Sequence, residues 1–430
     1  MLTFMLACAG PSAGDSAPTP LPDPEPRSVV LVLVDTLRAD HLAPWGYDRP
    51  TSPHIQAWAR DAVRFEQAIA PNAWTVPAVS SLWTGLYASA HGVLSYSGDA
   101  RLDDDQVPEA LTTLPELFQD AGFQTHGLVK SPVVRADRGH GQGFDALETV
   151  AGKVDYDTSG EELTDAALGW LETRQPGGDP FFLYLHYMEP HTHYIAPGPY
   201  YDAFDEGSDS TLVGTHAEVK GFLDGTSTAT DADVARLNAL YDGEIAYLDD
   251  QLGRLFDHLA STGLDRETVV VLMGDHGEQF GEHDSWIHGD LYQENLHVPL
   301  IVRVPGLPGR TVPGWVQSFD VTATLAGLFA LDPVEDWHSR DLGAALIGES
   351  VPDEPVFFEY AHERGVITQD GWKYLWDAGA PHLFDLAADP DEQEDRVTAE
   401  PERAAELDAL TESLHDQATA QRADREGAAR

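Results

Sequence analysis

Ser28-Val-Val-Leu-Val-Leu-Val-Asp35 is the stretch that decides the fold: an apolar, largely β-branched run that ends in a carboxylate. A matching run, Thr268-Val-Val-Val-Leu-Met-Gly-Asp275, continues into His276. Short continuous apolar runs of this kind are typical of strands buried on both faces of a parallel sheet. Ligands of open α/β sheets bind at the carboxyl ends of the strands, so we expect both aspartates to face one site.

Thr75 supplies a hydroxyl between these two runs, within the segment Asn72–Gly85. Pro77 near the start of this segment and Gly85 at its end predict a short helix with Thr75 at or next to the N-cap. Helix N-termini bind anions. Two aspartates, His276 and this hydroxyl could hold a divalent cation together with a phosphate- or sulfate-like group. Taken singly, each motif is also explained by a turn, a cap or a loop.

A collinear set of segments, from Val29 to about Arg396, resembles the sulfatase family of the alkaline-phosphatase-like superfamily. The segments are VVLVLVDTLRADHLAPWGY, TVPAVSSLWTGLYASAHGV, HYMEPHTHY, YDGEIAYLDDQLGRLFDHL, VVVLMGDHGEQFGEHDSWIHG, LYQENLHVPLIVRVPG, and GWKYLW followed by LFDLAADPDEQEDR. The resemblance implies an α/β fold: a three-layer α/β/α sandwich around a mostly parallel sheet, with a small C-terminal antiparallel sheet plus helix. We expect a catalytic domain over residues 28–350 and a C-terminal subdomain with a polar tail over 351–430.

The net charge is extreme. The 430 residues contain 25 Lys and Arg against 73 Asp and Glu, giving −48, with 42% hydrophobic residues typical of a globular protein. Such a surface excludes nucleic acid and anionic membranes as partners. A small anionic ester, or an ester linked to a lipid or glycan, is the expected substrate, and it needs strong local positive charge to bind.

Residues 1–27 resemble a truncated bacterial lipoprotein signal with a tether, because Cys8 follows an apolar stretch and precedes a Ser/Pro/Ala-rich one. This predicts an exported protein, periplasmic or at the cell surface, that contacts the membrane only through a lipid anchor on Cys8. A misassigned start codon would explain the truncated apolar region, and a plain disordered N-terminus is the alternative. Cys8 is the sole cysteine, which excludes an intramolecular disulfide. No later apolar run is long enough for a transmembrane helix.

Further elements follow from periodicity. Ser52-Pro53 opens a helix predicted to continue to Val63. Apolar residues at three- and four-residue steps predict one long helix from Val234 to Leu259. Shorter helices are expected over residues 111–121 and 163–173, buried strands over 123–130, 181–187 and 298–304, a small antiparallel sheet from about Pro355, and a terminal helix from Thr398.

The expected nucleophile is where the chain departs from the family. Sulfatases carry a Cys or Ser that is oxidised to formylglycine and is followed by x-Pro-Ser-Arg, whereas this chain has Thr75-Val-Pro77-Ala78-Val79. Threonine cannot give formylglycine, because its extra methyl group would yield a ketone. The resemblance to phosphodiesterases and phosphotransferases of the same superfamily implies instead a metal-activated Thr75. In that arrangement Asp35, Thr75, Asp275 and His276 surround one cation.

One divalent metal ion is therefore the expected cofactor. Sulfatases usually have two consecutive aspartates after the first strand, but Thr36 follows Asp35 here, so one oxygen ligand is lost. This weakens a Ca²⁺ site and favours Zn²⁺ or Mn²⁺, with Ca²⁺ and Mg²⁺ as alternatives. Glu189, His193 and His288 form an alternative second metal set.

The remaining site residues are implied by the resemblance. His186 or His191 would bind substrate oxygens or protonate the leaving group, and His288 is a third candidate for that role. Lys130 and Arg38 are candidate substrate-binding cations. Residues 197–231 are polar and weakly periodic, which indicates either an insertion over the site that sets specificity or a mobile surface loop.

The predicted function is a sulfatase-like, metal-dependent hydrolase of phosphate, phosphonate or sulfate esters with a threonine nucleophile. A phosphoethanolamine- or glycerophosphate-type transferase is one alternative. Those enzymes usually carry an N-terminal multi-helix membrane domain, which this sequence does not show, so hydrolysis is favoured. A catalytically inactive binding protein with the sulfatase fold is the other alternative, and the intact Asp35, Asp275 and His276 argue against it.

Overall fold

A computed structural model describes residues 26–94, 105–150, 160–332, 334–377 and 379–428. Cys8 and nearly all of the signal-like segment lie outside the described residues. Within the described ranges, no helix combines the length and the apolar character needed to cross a membrane.

The large sheet has eight strands, which are β1 (Ser28–Val34), β2 (Val63–Ile69), β3 (Gln124–Val129), β4 (Ala146–Thr149), β5 (Phe181–Tyr187), β6 (Thr268–Gly274), β9 (His297–Arg303) and β10 (Arg310–Gln317). Their order in the sheet is β10-β2-β9-β6-β1-β5-β3-β4. All neighbouring strands run parallel except at β9, which is antiparallel to both β2 and β6.

Helices cover both faces of this sheet. Every residue of β1 is buried, with Val30, Val32 and Val34 in one core and Val29, Leu31 and Leu33 in the other. The first core also contains residues of α1 (Pro53–Trp58), α5 (Gly160–Leu171) and α7 (Asp231–Thr262). The second contains residues of α2 (Thr75–Thr84), α4 (Leu114–Asp120), α9 (Val321–Leu328) and α10 (Gly343–Leu346). This confirms the predicted α/β/α sandwich.

A second, antiparallel sheet follows near the C-terminus. Its strands pair in chain order and are β11 (Val356–Tyr360), β12 (Glu363–Ile367), β13 (Trp372–Asp377) and β14 (Ala380–Asp385). One face packs on α11 (Pro401–Ala428) through Leu407, and Phe358 on the other packs with Ile69 of the large sheet. The small elements are α3 (Ala88–His91), α6 (His216–Leu223), α8 (Gln293–Leu296), and the strand pair β7 (Gln279–Phe280) and β8 (Trp286–Ile287).

The predicted long helix and C-terminal sheet are present, but one predicted helix was too long. The helix that begins at Pro53 ends at Trp58, and Val63 already belongs to β2. Apolar residues at positions 62, 63, 65, 68 and 69 serve a helix period and a strand equally well. The pairing of this segment with β9 and β10, two strands that are distant in sequence, decides in favour of the strand.

Candidate active site

Three adjacent central strands deliver three polar side chains to one edge of the large sheet. Asp275 directly follows β6 and Asp35 directly follows β1, while His186 lies near the end of β5, paired in register with Leu33. The amide of Asp35 donates to the carbonyl of Tyr187 at 3.0 Å, which continues the β1–β5 pairing past the strand end. The edge is therefore built by rigid, fully buried strands.

The side chains of Asp35, His186 and Asp275 form a compact group whose ligand atoms lie within 4.8 Å of one another. His186 Nε2 is 3.4 Å from Asp35 Oδ2, and its Nδ1 is 2.8 Å from the hydroxyl of Tyr184. Asp275 Oδ2 and His186 Nε2 are buried without a hydrogen-bond partner in the structure. Two carboxylates and an imidazole with unpartnered buried atoms fit a divalent cation.

Thr75 reaches this group from the first turn of α2. Its Oγ1 lies 3.5 Å from both carboxylate oxygens of Asp35 and 3.2 Å from Nε2 of His276. The other ring nitrogen of His276, Nδ1, lies 3.0 Å from the carbonyl of Gly277. A carbonyl only accepts, so Nδ1 carries the proton and the Nε2 lone pair points toward Thr75.

Backbone geometry holds the Asp275 carboxylate in place. Its Oδ1 accepts from the amide of Thr36 at 3.1 Å and from the amide of His276 at 2.8 Å. Thr36 has a φ of 55°, in the left-handed region that a threonine rarely adopts. Gly277 has no space for a side chain, because a Cβ there would lie 1.9 Å from the carbonyl oxygen of Glu294.

The two aspartates have opposite pKa shifts. Burial and then the negative charge of Asp35 raise the pKa of Asp275. Burial also acts to raise the pKa of Asp35, but the contact with His186 at 3.4 Å and the charges of the nearby imidazoles outweigh this and lower it. Burial lowers the pKa of His276 and keeps the ring neutral, as metal ligation requires. The edge thus concentrates negative charge and neutral nitrogen donors.

A cavity of about 170 Å³ opens over Asp35 and Thr75. It is lined by Asp35, Trp74, Thr75, Pro132, Val133, Met188, His191, His216, Lys220, Leu223, Ile287 and His288. Of the three histidines predicted for leaving-group chemistry, His191 and His288 line this cavity. His186 lies instead beneath it, fully buried among the carboxylates.

His288 is supported by a residue to which the sequence assigned no role. Its Nδ1 lies 2.8 Å from Oε1 of Glu278, so Nδ1–H donates to that oxygen and Nε2 stays available to the cavity. The His288 ring lies 4.5 Å from the ring of His276 and 5.0 Å from that of Trp74. Burial raises the pKa of Glu278 to about 7 and lowers the pKa of His288 to about 3.

The two predicted substrate-binding cations point elsewhere. The ammonium of Lys130 pairs with Glu162. The guanidinium of Arg38 binds Asp40 at 2.7 Å, Glu282 at 2.8 Å and the backbone carbonyl of Glu278 at 3.0 Å. Neither residue lines the cavity over Asp35 and Thr75. Their contact with substrate stays a prediction.

The alternative second metal set is not assembled. Glu189 Oε1 accepts from the amide of Gly160 at 2.6 Å. His288 is bound to Glu278, and no group of potential ligands among the described residues contains Glu189 or His193. Of the three groups of potential metal ligands among the described residues, the one at the sheet edge is the one that contains Asp35, beside Thr75.

Comparison with known proteins gives concordant results. The sulfatase family model matches residues 27–331. The choline-sulfatase of Rhizobium meliloti is 23% identical over 426 residues, covering 84% of this chain and 81% of that protein. A multifunctional alkaline phosphatase superfamily protein of Trinickia caryophylli is 24% identical over 467 residues, covering 85% and 90% respectively. The phosphonate monoester hydrolase of Agrobacterium radiobacter superposes with a TM-score of 0.74 at 22% identity, covering 92% of this chain and 96% of that one.

Proposed function

The chain belongs to the sulfatase family, and we propose that it hydrolyses its ester substrate with Thr75 as the nucleophile and one divalent cation as the cofactor. Its class, a hydrolase of sulfate or phosphate esters, follows from the family and its relatives. The proposal of the nucleophile rests on one observation. The Thr75 hydroxyl lies 3.5 Å from Asp35 and 3.2 Å from His276, at a helix N-terminus and at the floor of a cavity.

Asp35, Asp275 and His276 would hold the cation, and His186 joins them as a fourth candidate ligand. The support for His186 is its Nε2, which is buried, lacks a hydrogen bond and lies 3.4 Å from Asp35. When bound, the cation supplies positive charge that lowers the pKa of the Thr75 hydroxyl and offsets the charge of the incoming ester. Mixed nitrogen and oxygen donors favour Zn²⁺ or Mn²⁺ over Ca²⁺.

The protein residues then have distinct tasks. The Thr75 hydroxyl loses its proton to solvent, and Oγ1 forms a bond to the phosphorus or sulfur atom while the bond from that atom to the ester oxygen breaks. Amide groups in the first turn of α2 stabilise the oxygens of the transferred group, since they have no partners within the helix. The proton for the departing alkoxide comes from His191, which lines the cavity, because burial lowers the pKa of His288 and leaves its Nε2 without a proton. Water attacks the adduct on Thr75, releases the acid and restores the hydroxyl.

A threonine nucleophile is compatible with esters of both phosphorus and sulfur acids. A threonine ester must be resolved by attack on its phosphorus or sulfur atom, because Thr75 cannot provide the aldehyde hydrate that formylglycine offers. One similar protein is named choline-sulfatase and another phosphonate monoester hydrolase, so similar proteins act on esters of sulfur and of phosphorus. We therefore include phosphate, phosphonate and sulfate esters in the proposal.

A substrate panel tests this proposal. Purified protein is assayed with aryl phosphate monoesters and diesters, aryl phosphonates and aryl sulfates, without metal and with Zn²⁺, Mn²⁺ or Ca²⁺. We expect metal-dependent turnover of at least one class, loss of that turnover in Thr75→Ala, and partial retention in Thr75→Ser. After reaction with a slow substrate, mass spectrometry of the digested protein should find the added phosphoryl, phosphonyl or sulfuryl group on the peptide that contains Thr75. Wild-type rates in a correctly folded Thr75→Ala variant would end the proposal.

A further inference from the structure

Helix α6 forms one wall of the cavity over Asp35 and Thr75. His216, Lys220 and Leu223 line the cavity, and their spacing of four and three residues places them on one face of the helix. The segment 197–231 that contains α6 was open to two interpretations from sequence. Its position in the structure is that of an insertion over the site.

This wall is preformed. A capping box fixes the start of α6, because the amide of Thr215 donates to Glu218 Oε2 at 2.9 Å and the amide of Glu218 donates back to Thr215 Oγ1 at 3.4 Å. Val219 is fully buried in the main core, and the ring of Phe222 packs against Trp286 with centroids 4.8 Å apart. Leu223 is thus held at the edge of the cavity.

The chemistry of the wall is unlike that of a sugar site. Above Asp35 and Thr75, the lining is mostly apolar, with Val133, Met188 and Leu223 among its members. Besides Asp35 and Thr75, the polar lining residues that the structure describes are His191, His216, Lys220 and His288, and no Asn, Gln, Arg or further carboxylate is among them. Recognition of a polyhydroxylated leaving group needs several such hydrogen-bonding groups, since each buried hydroxyl left unpaired costs binding energy.

A few large hydrophobic side chains are exposed, and one of them lines the cavity. The exposed large hydrophobic side chains of the described residues are Ile195, Val213 and Leu223, with 36%, 45% and 47% exposure. The amide of Tyr194 donates to the carbonyl of Gly214 at 2.9 Å, which ties the stretch carrying Ile195 to the one that leads into α6. Leu223 is the one of these three side chains that also lines the cavity.

We propose that this enzyme acts on esters of apolar alcohols, aryl or alkyl, rather than on esters of sugars, and that Leu223 on α6 contacts the hydrocarbon of the leaving group. The inference rests on the proposed function, because it assumes that the acid group of the ester lies at Thr75. Lys220, the lone Lys or Arg among the lining residues that the structure describes, has its ammonium paired with Asp224 at 2.7 Å.

The test compares leaving groups with the acid group held constant. For the acid that the wild-type enzyme turns over, kcat/KM is measured for a methyl ester, a series of longer alkyl and aryl esters, and a hexose ester. We expect kcat/KM to rise with apolar size and the hexose ester to be the poorest substrate. Leu223→Asn should lower kcat/KM about tenfold for the large apolar esters and leave the methyl ester within about twofold.

Ala217→Asn provides the matched control. Ala217 is exposed on the same helix and does not line the cavity, so the same polar side chain there should leave the whole series unchanged. A preference for the hexose ester, or an equal loss on every ester in Leu223→Asn, overturns the inference and leaves Thr75 chemistry standing. Absence of turnover with any ester in the wild type overturns the proposed function itself.

Discussion

Nε2 of His276 lies 3.2 Å from Oγ1 of Thr75, and the proton on its other ring nitrogen is committed to the carbonyl of Gly277. The tautomer that leaves Nε2 as an acceptor is therefore fixed by the backbone. His276→Gln removes this nitrogen while keeping similar volume. We expect a fall of about 100-fold or more in kcat together with weaker metal binding. Steady-state kinetics and metal analysis of the dialysed protein check this, and unchanged turnover at saturating metal would contradict it.

Asp275 should affect stability in opposite directions with and without metal. In the metal-free protein, two buried carboxylates face each other, and the pKa of Asp275 is raised by burial and by Asp35. Asp275→Asn keeps an acceptor for the amides of Thr36 and His276 but removes the charge. We expect its Tm in chelator to exceed that of the wild type by a few degrees at pH 8.

With saturating Zn²⁺ or Mn²⁺ the order should reverse. A metal held at about 100 times its Kd stabilises the wild type by about 2.7 kcal/mol, and the Asp275→Asn variant gains little of this. Thermal unfolding of both proteins in chelator and in metal measures the four values. If Asp275→Asn is the less stable protein under both conditions, the carboxylate pair is not a metal site.

The sequence was sufficient for the architecture because its strongest signals are local. Continuous apolar runs identified β1 and β6, and regular three- and four-residue steps identified α7. The strand β2 was missed because its apolar residues also fit a helix, and only its pairing with two distant strands resolves the ambiguity. Pairing of this kind is set by residues more than 200 positions away, which no local window contains.

Some residues of the candidate site were likewise predictable from local sequence, and others were not. Asp35 and Asp275 were predictable, since each ends a buried strand at a known ligand-binding edge. The proximity of His186 to Asp35 was not, because it depends on the register of β5 against β1. Lys130 is a substrate-binding candidate by resemblance to the family, and the structure adds that its ammonium pairs with Glu162 at the start of α5. Which charge satisfies which partner is a tertiary property.

Arg38 is predicted to serve stability more than substrate binding. Its buried side chain bridges Asp40, Glu282 and the carbonyl of Glu278, and so joins the loop after β1 to the loop after β6. Arg38→Ala should lower the free energy of unfolding by about 2 kcal/mol, because it leaves Glu282 and the Glu278 carbonyl without their donor. Chemical denaturation measures this change.

Kinetics of the same variant separate the two roles. At a temperature where Arg38→Ala is fully folded, KM should stay within about twofold of the wild-type value. Arg38→Lys serves as the control, since it keeps the charge but loses the planar fork that binds Asp40 through two nitrogens. A large increase in KM without loss of stability would establish the substrate-binding role predicted from the sequence.

His91 should make stability depend on pH below neutrality. It is buried, its Nδ1 accepts from the amide of Val93 at 3.1 Å, and its Nε2–H donates to Ser81 of α2 at 3.1 Å. Burial lowers the pKa of His91 from 6.5 to about 3. Between these values the unfolded state binds the additional proton, so the folded protein loses up to about 1.4 kcal/mol of stability per unit fall in pH.

His91→Gln removes this titration and keeps a donor and an acceptor. The free energy of unfolding is measured by denaturant at several pH values between 6.5 and 5, for both proteins. The variant should be less stable than the wild type at pH 7. Its free energy of unfolding should change less steeply with pH, by up to about 1.4 kcal/mol per pH unit, which corresponds to one proton. Equal slopes in the two proteins would show that His91 is accessible to protons in the folded state.

The charge of −48 leads to a last prediction, on the response to salt. With 73 acidic and 25 basic residues, repulsion between carboxylates opposes the compact state more than the expanded one. Raising NaCl from about 0.01 to about 0.5 M shortens the screening length severalfold, so Tm should rise by several degrees across this range. Sucrose at the same osmolality serves as the control, because it stabilises by exclusion without screening charge. Tm that is flat or falling with NaCl would show that local ion pairs, which salt weakens, outweigh the net repulsion.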